Sequence, residues 1–505
     1  MENRTFAFDL KPFGEPGEKR DAVVVGLVEG MSEPGERIMA LDSAAGGVIG
    51  TALAEGDFAG RAEQVLTLFS TKQTGPRRIL LIGLGKAGEL DDERVRRALA
   101  AGCMAAERLE IETLSLDIGS LAVAGPDLVR CAELAAETAQ LALWRNLKYR
   151  SELKEEERPR IGKIELLWPG ENVPAEATAT VNHGIVTAGA TCYARELIGR
   201  PGNELFPEAL AEEAVKVAGS HGYSVKIFGA DELKEMGFNA LLSVGMGSAR
   251  PPCLIVVDTA PESEEAPIAL VGKGITFDTG GISIKPSKDM DAMKGDMAGA
   301  AAVLAAVDAL GNLNYERRVV AVIPAAENMP GPSAQRPGDI WTSYQGITIE
   351  VLNTDAEGRL ALADALAYAA KEYSPEVMID LATLTGACFV ALGDVAAGLL
   401  GNDNELCIQL EKAGAKTGER VWRLPLWPDY DEQLKSKIAD IKNIGERGAG
   451  AITAAAFLKR FVGETRWTHI DIAGVSWLEK ERAYMPVGPV GFGVRLLVET
   501  LTRRM

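Results

Sequence analysis

Apolar runs and helical stretches alternate along most of the chain. In the first third, strand-like runs at 22–28, 78–82 and 113–116 are separated by stretches at 91–108 and 127–143 whose apolar residues recur at helical spacing. A charge-dense segment, KYRSELKEEERPRI at 148–161, interrupts the rhythm, and with Pro169-Gly170 and Pro174 it reads as an exposed connector. A helix at about 176–198 follows and stops at Gly199-Arg200-Pro201-Gly202. Beyond it, strand-like runs at 225–228, 254–257, 268–271, 319–323, 377–381 and 469–472 alternate with helices near 207–219, 297–310, 358–372 and 450–463. Strands that alternate with helices in this way predict an α/β protein with a central, mostly parallel, twisted sheet flanked by helices.

Length turns this pattern into two domains, because 505 residues exceed what one compact core holds. The expected division is a smaller α/β domain at 1–165, a linker and bridging helix at 166–200, and a larger domain at 201–505. With 47% hydrophobic and 25% charged residues the composition is that of a soluble globular protein. The start, MENRTFAFDLKPFGEPGEKR, is charged and has no apolar leader core, and the longest uncharged apolar stretch, 381–393, falls short of the ~20 residues that span a bilayer. A cytoplasmic protein without a membrane partner is expected. Six cysteines lacking C-x-x-C spacing fit buried reduced thiols. A net charge of −19 argues against nucleic acid as a partner, since that binding depends on Lys and Arg neutralising phosphates.

Two clusters break the apolar pattern with charge. The octet Asn353-Thr354-Asp355-Ala356-Glu357-Gly358-Arg359-Leu360 alternates three charges between apolar flanks; were it extended, Asp355, Glu357 and Arg359 would share one face. Neighbouring buried carboxylates are costly unless a cation neutralises them, which suits a divalent metal. An arbitrary D-x-E-x-R triplet is more often an exposed turn before a helix. The second cluster shifts that balance. In IALVGKGITFDTGGISIKPSKDMDAMKGDMAG, 268–299, an apolar run leads into Lys273 and Asp278, and Asp296 precedes a run of small residues that predicts a closely packed helix. Asp289 and Asp291 read as solvated, and Lys285 as either.

These two stretches, with DLATLTGA at 380–387, GAITAAAFLKRFV at 450–462 and WTHIDIAG at 467–474, resemble the leucine (leucyl, or cytosol) aminopeptidase family of two-metal exopeptidases, and NTDAEGRL is its signature. The likeness covers most of 180–500 and only weakly the first third. It implies Lys273, Asp278, Asp296, Asp355 and Glu357 as metal ligands, Lys285 and Arg359 as the catalytic pair, and Met293, Asn353, Thr383, Gly386 and Ala473 as substrate-binding positions. It further implies a metal-dependent aminopeptidase that removes N-terminal residues, leucine and similar apolar ones first, from peptides through a metal-bridging hydroxide. The expected cofactors are two divalent ions per subunit, manganese or zinc ahead of magnesium or cobalt, with bicarbonate as general base. A homohexamer, with the first domain serving assembly, completes what the resemblance implies. One departure is Gly199-Arg200-Pro201, where relatives commonly read N-T-P.

The chemistry asks for these groups. Two divalent ions about 3.5–4 Å apart acidify a bridging water and polarise a carbonyl. A lysine ligates only as a free amine, so Lys273 has to lose its proton, whereas Lys285 has to keep its own to donate to an oxyanion. None of the three histidines lies in either cluster, and Arg359 cannot act as base because guanidinium keeps its proton. There is no G-x-S-x-G to suggest a serine hydrolase, and His183, His221 and His469 read as structural. Two other classes stay open. One is a DNA-binding regulatory role; the other is a nicotinamide-dependent enzyme using Gly83-Leu84-Gly85-Lys86-Ala87-Gly88, with Asp117 ending the next strand.

Overall fold

The computed structural model describes residues 6–123, 125–154 and 158–503. The start of the chain, 1–5, and residues 155–157 of the charged connector therefore lie outside it. By contacts the chain divides into two compact units, Met1–Gly189 with Lys480–Pro486, and Ala190–Glu479 with Val487–Met505.

In the first unit, six strands lie in the order Ala7–Pro12, Lys163–Trp168, Thr113–Asp117, Ala22–Val28, Arg78–Gly85 and Val65–Phe69. All neighbours are parallel except the last pair. Helices Asp92–Glu107 and Leu128–Leu143 start where Asp91 and Asp127 accept the backbone N–H of Arg94 and Arg130, so both N-caps were readable from sequence. The sequence missed Ala7–Pro12 and Val65–Phe69, edge strands that are nowhere fully buried, and also the inner strand Lys163–Trp168, into which the expected linker at 166–200 cuts.

The Gly83–Gly88 motif has a packing explanation. Strand Arg78–Gly85 runs through its first three residues, and a Cβ on Gly83 would stand 1.8 Å from the Arg61 carbonyl oxygen. Gly85 donates to the Gly60 carbonyl at 2.9 Å, and Asp117 is ion-paired with Arg37. These glycines let segment 60–64 of the chain itself lie against the strand.

The second unit is built on a nine-stranded mixed sheet in the order Val421–Arg423, Ala397–Gly401, Arg466–Asp471, Val377–Ala382, Ile268–Gly272, Val319–Asn328, Cys253–Asp258 and Ser224–Phe228, with Gly274–Asp278 also paired to Val319–Asn328. Its centre is parallel: Val377–Ala382 pairs in parallel with both Arg466–Asp471 and Ile268–Gly272, which in turn runs parallel to Val319–Asn328. Strands Val377–Ala382 and Val319–Asn328 are buried along their whole length, as expected of strands covered on both faces. The covering helices include Ala298–Asn312 and Gly358–Tyr373. A separate three-stranded sheet joins Ile340–Thr342, Thr348–Glu350 and Ile441–Lys442. All six cysteines are buried, and among the described residues none is joined in a disulfide. Among the described residues no helix is long and apolar enough to cross a membrane.

Candidate metal centre

Strand Ile268–Gly272 reaches its carboxyl end in the middle of the sheet, and there the chain jogs. Lys273 donates its backbone N–H to Leu381 at 3.0 Å and accepts from the Ala300 N–H at 2.9 Å before strand Gly274–Asp278 resumes along Val319–Asn328. Gly272 permits the jog, because a Cβ there would meet the Ala300 Cα at 2.7 Å. The Lys273 side chain, only 2% exposed, is held by charge. Its Nζ donates to Asp296 Oδ1 and the Thr383 carbonyl, both at 2.9 Å, and faces Glu357 Oε1 at 2.8 Å.

Asp278 ends the resumed strand. Its Oδ1 accepts from the Gly280 N–H at 2.8 Å and Asn328 Nδ2 at 2.7 Å, and its Oδ2 pairs with Lys285 Nζ at 2.8 Å. Gly280 (φ +84°) and Gly281 (φ +64°) make the left-handed turn that brings Lys285 back; a Cβ on Gly280 would meet Asp355 Oδ1 at 2.7 Å. Lys285 also pairs with Asp355.

The octet is not extended. Thr354 and Asp355 form a turn, Glu357 takes helical backbone angles as the N-cap, and helix Gly358–Tyr373 begins directly after it. The reading of a bland turn before a helix thus has the backbone right, but Glu357 is 1% and Arg359 7% exposed. The turn, not strand alternation, aims Asp355 and Glu357 at one place. Thr354 pins it by donating Oγ1 to the Gly280 carbonyl at 2.6 Å, and Asn353 Oδ1 accepts the Asp355 N–H at 2.9 Å.

Together, Asp278, Asp355 and Glu357 place carboxylate oxygens within 4.8 Å of one another, the arrangement of a cation site. Asp296 joins them through Lys273. Four carboxylates face two ammonium groups, and the buried Glu357 Oε2 finds no hydrogen-bond partner among the described residues. Burial pushes the carboxyls of Asp278, Asp296 and Asp355 above the usual range, and repulsion from their acidic neighbours adds to it against the pull of the lysines. Both lysines are lowered by burial and raised more strongly by those carboxylates, so both ammonium forms are favoured. Unrelieved negative charge, an orphaned buried carboxylate oxygen and an oxygen-rich donor set all fit divalent cations. Arg359 is pushed down to about 10 by burial, against the pull of Glu357 and Asp471, and stays cationic at neutral pH. Its Nη1 donates to the Asn443 carbonyl at 2.8 Å, whereas its buried Nε has no partner among the described residues.

The structure brings all seven of the expected ligand and catalytic residues together. The five substrate-binding candidates divide. Thr383 donates Oγ1 to Asp296 Oδ1 at 2.6 Å, so it holds a carboxylate of the cage as well as lining it. Asp471 accepts the backbone N–H of Leu384 at 3.2 Å and of Ala473 at 3.1 Å, tying the turn that carries Thr383 and Gly386 to the one that carries Ala473. Gly386 is exposed, and a Cβ there would meet nothing within 4 Å. Met293 is half-buried in the 3-10 turn Met290–Gly295 that leads to Asp296. Asn353 spends its side chain on the turn. The sequence did not single out Asn328, Asn443 or Asp471 for the site, though Asp471 carried a signal as a lone acid in an apolar strand.

A cation-binding carboxylate cage at the strand ends of a mixed α/β sheet defines a metal-dependent enzyme of the water-activating kind. Residues 192–498 match the catalytic domain of the cytosol aminopeptidase family and residues 24–153 its N-terminal domain; the chain belongs to that family. Probable cytosol aminopeptidases of Roseiflexus castenholzii (47% identical, 88% of this chain and 91% of the relative) and Syntrophotalea carbinolica (44% identical, 96% and 97%) are among its relatives. Among solved structures it is similar to a tomato leucine aminopeptidase mutant (TM-score 0.87, 33% identity, 100% and 97% covered). It is also similar to the bottromycin maturation enzyme BotP in complex with Mn (TM-score 0.83, 35% identity, 95% and 98% covered). The protein is a hydrolase, a metal-dependent aminopeptidase acting at peptide N-termini.

Proposed function

We propose that the enzyme removes leucine and similar apolar N-terminal residues from peptides in the cytoplasm, using two divalent ions held by Lys273, Asp278, Asp296, Asp355 and Glu357. The observation that carries this reading is the triplet of carboxylate oxygens within 4.8 Å, with Lys273 and Lys285 beside it. When bound, two such ions acidify a water and polarise the scissile carbonyl, and bicarbonate supplies the proton acceptor that these side chains lack. Manganese is favoured by the BotP complex, and zinc by the family resemblance, since a mostly oxygen donor set does not by itself choose among these ions. Lys273 serves as a neutral amine only once dications take over its carboxylates, because its neighbours otherwise favour its charge.

Lys285 keeps its proton and would donate to the negative charge that builds on the carbonyl oxygen; its Nζ already lies between Asp278 and Asp355. Arg359 is the residue to hold bicarbonate, through the Nε donor that lacks a partner among the described residues. Met293, Thr383, Gly386 and Ala473 line the side-chain pocket, with Asn353 shaping its edge. A pocket of small groups and one methionine tolerates leucine, methionine and their like, since one methylene alters binding by only about 1–3 kcal/mol. Residues 1–165 serve assembly into a homohexamer, 166–200 bridge, and 201–505 carry catalysis.

The deciding experiment strips the protein with chelator, reloads it with single metals and follows leucine-amide hydrolysis with and without bicarbonate. Turnover should return with Mn2+ or Zn2+ and rise with bicarbonate, and Arg359→Ala should bind metal but lose the bicarbonate response. Reloaded protein that cleaves no N-terminal residue would refute the reading.

A further inference from the structure

Arg359 and Asn443 stand 84 positions apart in sequence, and the neutral amide of Asn443 spans the gap. Strands Thr348–Glu350 and Ile441–Lys442 lie parallel, with Glu350 opposite Lys442. They release the octet and Asn443 side by side. Asn443 is 0% exposed and donates its N–H to the Glu350 carbonyl at 2.9 Å. Its Oδ1 accepts from the backbone N–H of Leu352 at 2.8 Å and, more weakly, of Asn353 at 3.4 Å. Its Nδ2 donates to the Asn353 carbonyl at 2.7 Å and, more weakly, to the Ala356 carbonyl at 3.4 Å. Its own carbonyl receives Arg359 Nη1 at 2.8 Å.

These bonds bracket Asp355. The side chain grips the chain on both sides of that carboxylate, at 353 and at 356, while the main chain of the same residue fixes the guanidinium of Arg359. Only an amide meets the demand, for it presents an acceptor and a donor at one end of a short stem; aspartate has no donor when ionised, and an apolar residue of that size would leave the buried peptide groups unpaired. Resting on the functional reading above, we propose that Asn443 is a positioning residue that sets Asp355 and Arg359 in one frame, coupling the cation site to the anion-binding guanidinium.

The test uses full-length protein with Asn443→Asp, which keeps shape and acceptor but turns an oxygen toward two carbonyls, and Asn443→Ala. Mn2+ titrated calorimetrically into the chelator-stripped variants should bind several-fold more weakly than to wild type. After reloading, kcat for leucine amide should fall about 10- to 100-fold with KM nearly unchanged, the size of loss a misplaced reacting group causes. Combined with Arg359→Ala, Asn443→Asp should lower kcat by less than the product of the two single losses, because the part of its effect that runs through Arg359 is already gone. Thr348→Val, which removes the hydroxyl that donates to Asp440 Oδ2 and accepts the Asp440 N–H, should lower the melting temperature and leave kcat intact.

Wild-type Mn2+ affinity and kcat in a folded Asn443→Asp protein would overturn the proposal. Additive losses with Arg359→Ala would do the same, as would failure of both Asn443 variants to fold, which would make the residue a folding determinant only. Should wild type itself hydrolyse no leucine amide, the functional reading fails, and the Mn2+ titration still decides whether Asn443 braces Asp355.

Discussion

Gly358 opens the helix behind Glu357, and a methyl group on it would stand 2.4 Å from Lys273 Cε and 2.6 Å from its Nζ. The lysine tip is flexible, so the fold should tolerate Gly358→Ala, but the amine would leave Asp296 and Glu357. The expected outcome is a lowered melting temperature, because buried ion pairs are broken, with weaker Mn2+ binding by calorimetry and leucine-amide kcat/KM reduced about 100-fold, near 2.7 kcal/mol of transition-state stabilisation. Unchanged kinetics would show that the amine has room to yield. Residues such as Lys273, Asp278 and Glu357 were legible because a charge inside an apolar run needs an explanation. Asn328 and Asn443 were not, since a neutral amide at or just past a strand end looks like any turn residue until its partners are known. Alternating charge in the octet imitated a strand, and only the Thr354 and Asn353 side chains, which fold it into a turn, decide otherwise.

Among elements, strand Lys163–Trp168 shows how a sheet can hold a charge. Glu165 accepts from Lys11 at 2.8 Å, Lys163 at 2.9 Å and Ser115 at 3.0 Å. Burial alone would push its carboxyl up, but these donors outweigh it and hold the group down at about 2. A carboxyl depressed in the folded state stabilises above its unfolded value of 4.5, and that stability is lost as pH falls toward about 2. Glu165→Gln should therefore cost melting temperature at pH 6 and progressively less as the pH approaches 2; a gap that stays constant over that range would contradict the assignment. Most central strands and the capped helices were readable because continuous apolar runs and Asp caps leave marks in sequence, whereas the inner strands Lys163–Trp168 and Ala397–Gly401 were not read. The edge strands Ala7–Pro12, Val65–Phe69 and Val421–Arg423 and the two-residue strand Ile441–Lys442 were not read, because their places are set mainly by pairing.

For the whole molecule, charge and exposed apolar surface pull in opposite directions. The chain carries a net charge of −19, yet in its second unit Val390 is 85%, Trp422 65%, Trp427 61% and Ile438 65% exposed. Large apolar side chains left in water are candidates for cover by other copies, while the acidic balance makes copies repel. Sedimentation equilibrium at physiological salt should return about six times the 53.7 kDa chain mass, and smaller species should appear at low ionic strength, where screening weakens. A single-chain mass at both salts would remove the hexamer.

The jog at Lys273 carries its own consequence for how the enzyme comes into being. Its backbone is spoken for by Leu381 and Ala300, and the octet beyond it by Asn443. A chain still short of residue 443 has every carboxylate of the cage but lacks both the Asn443 brace and the central strand Arg466–Asp471, so the cage takes its geometry from a stretch of chain made after its ligands.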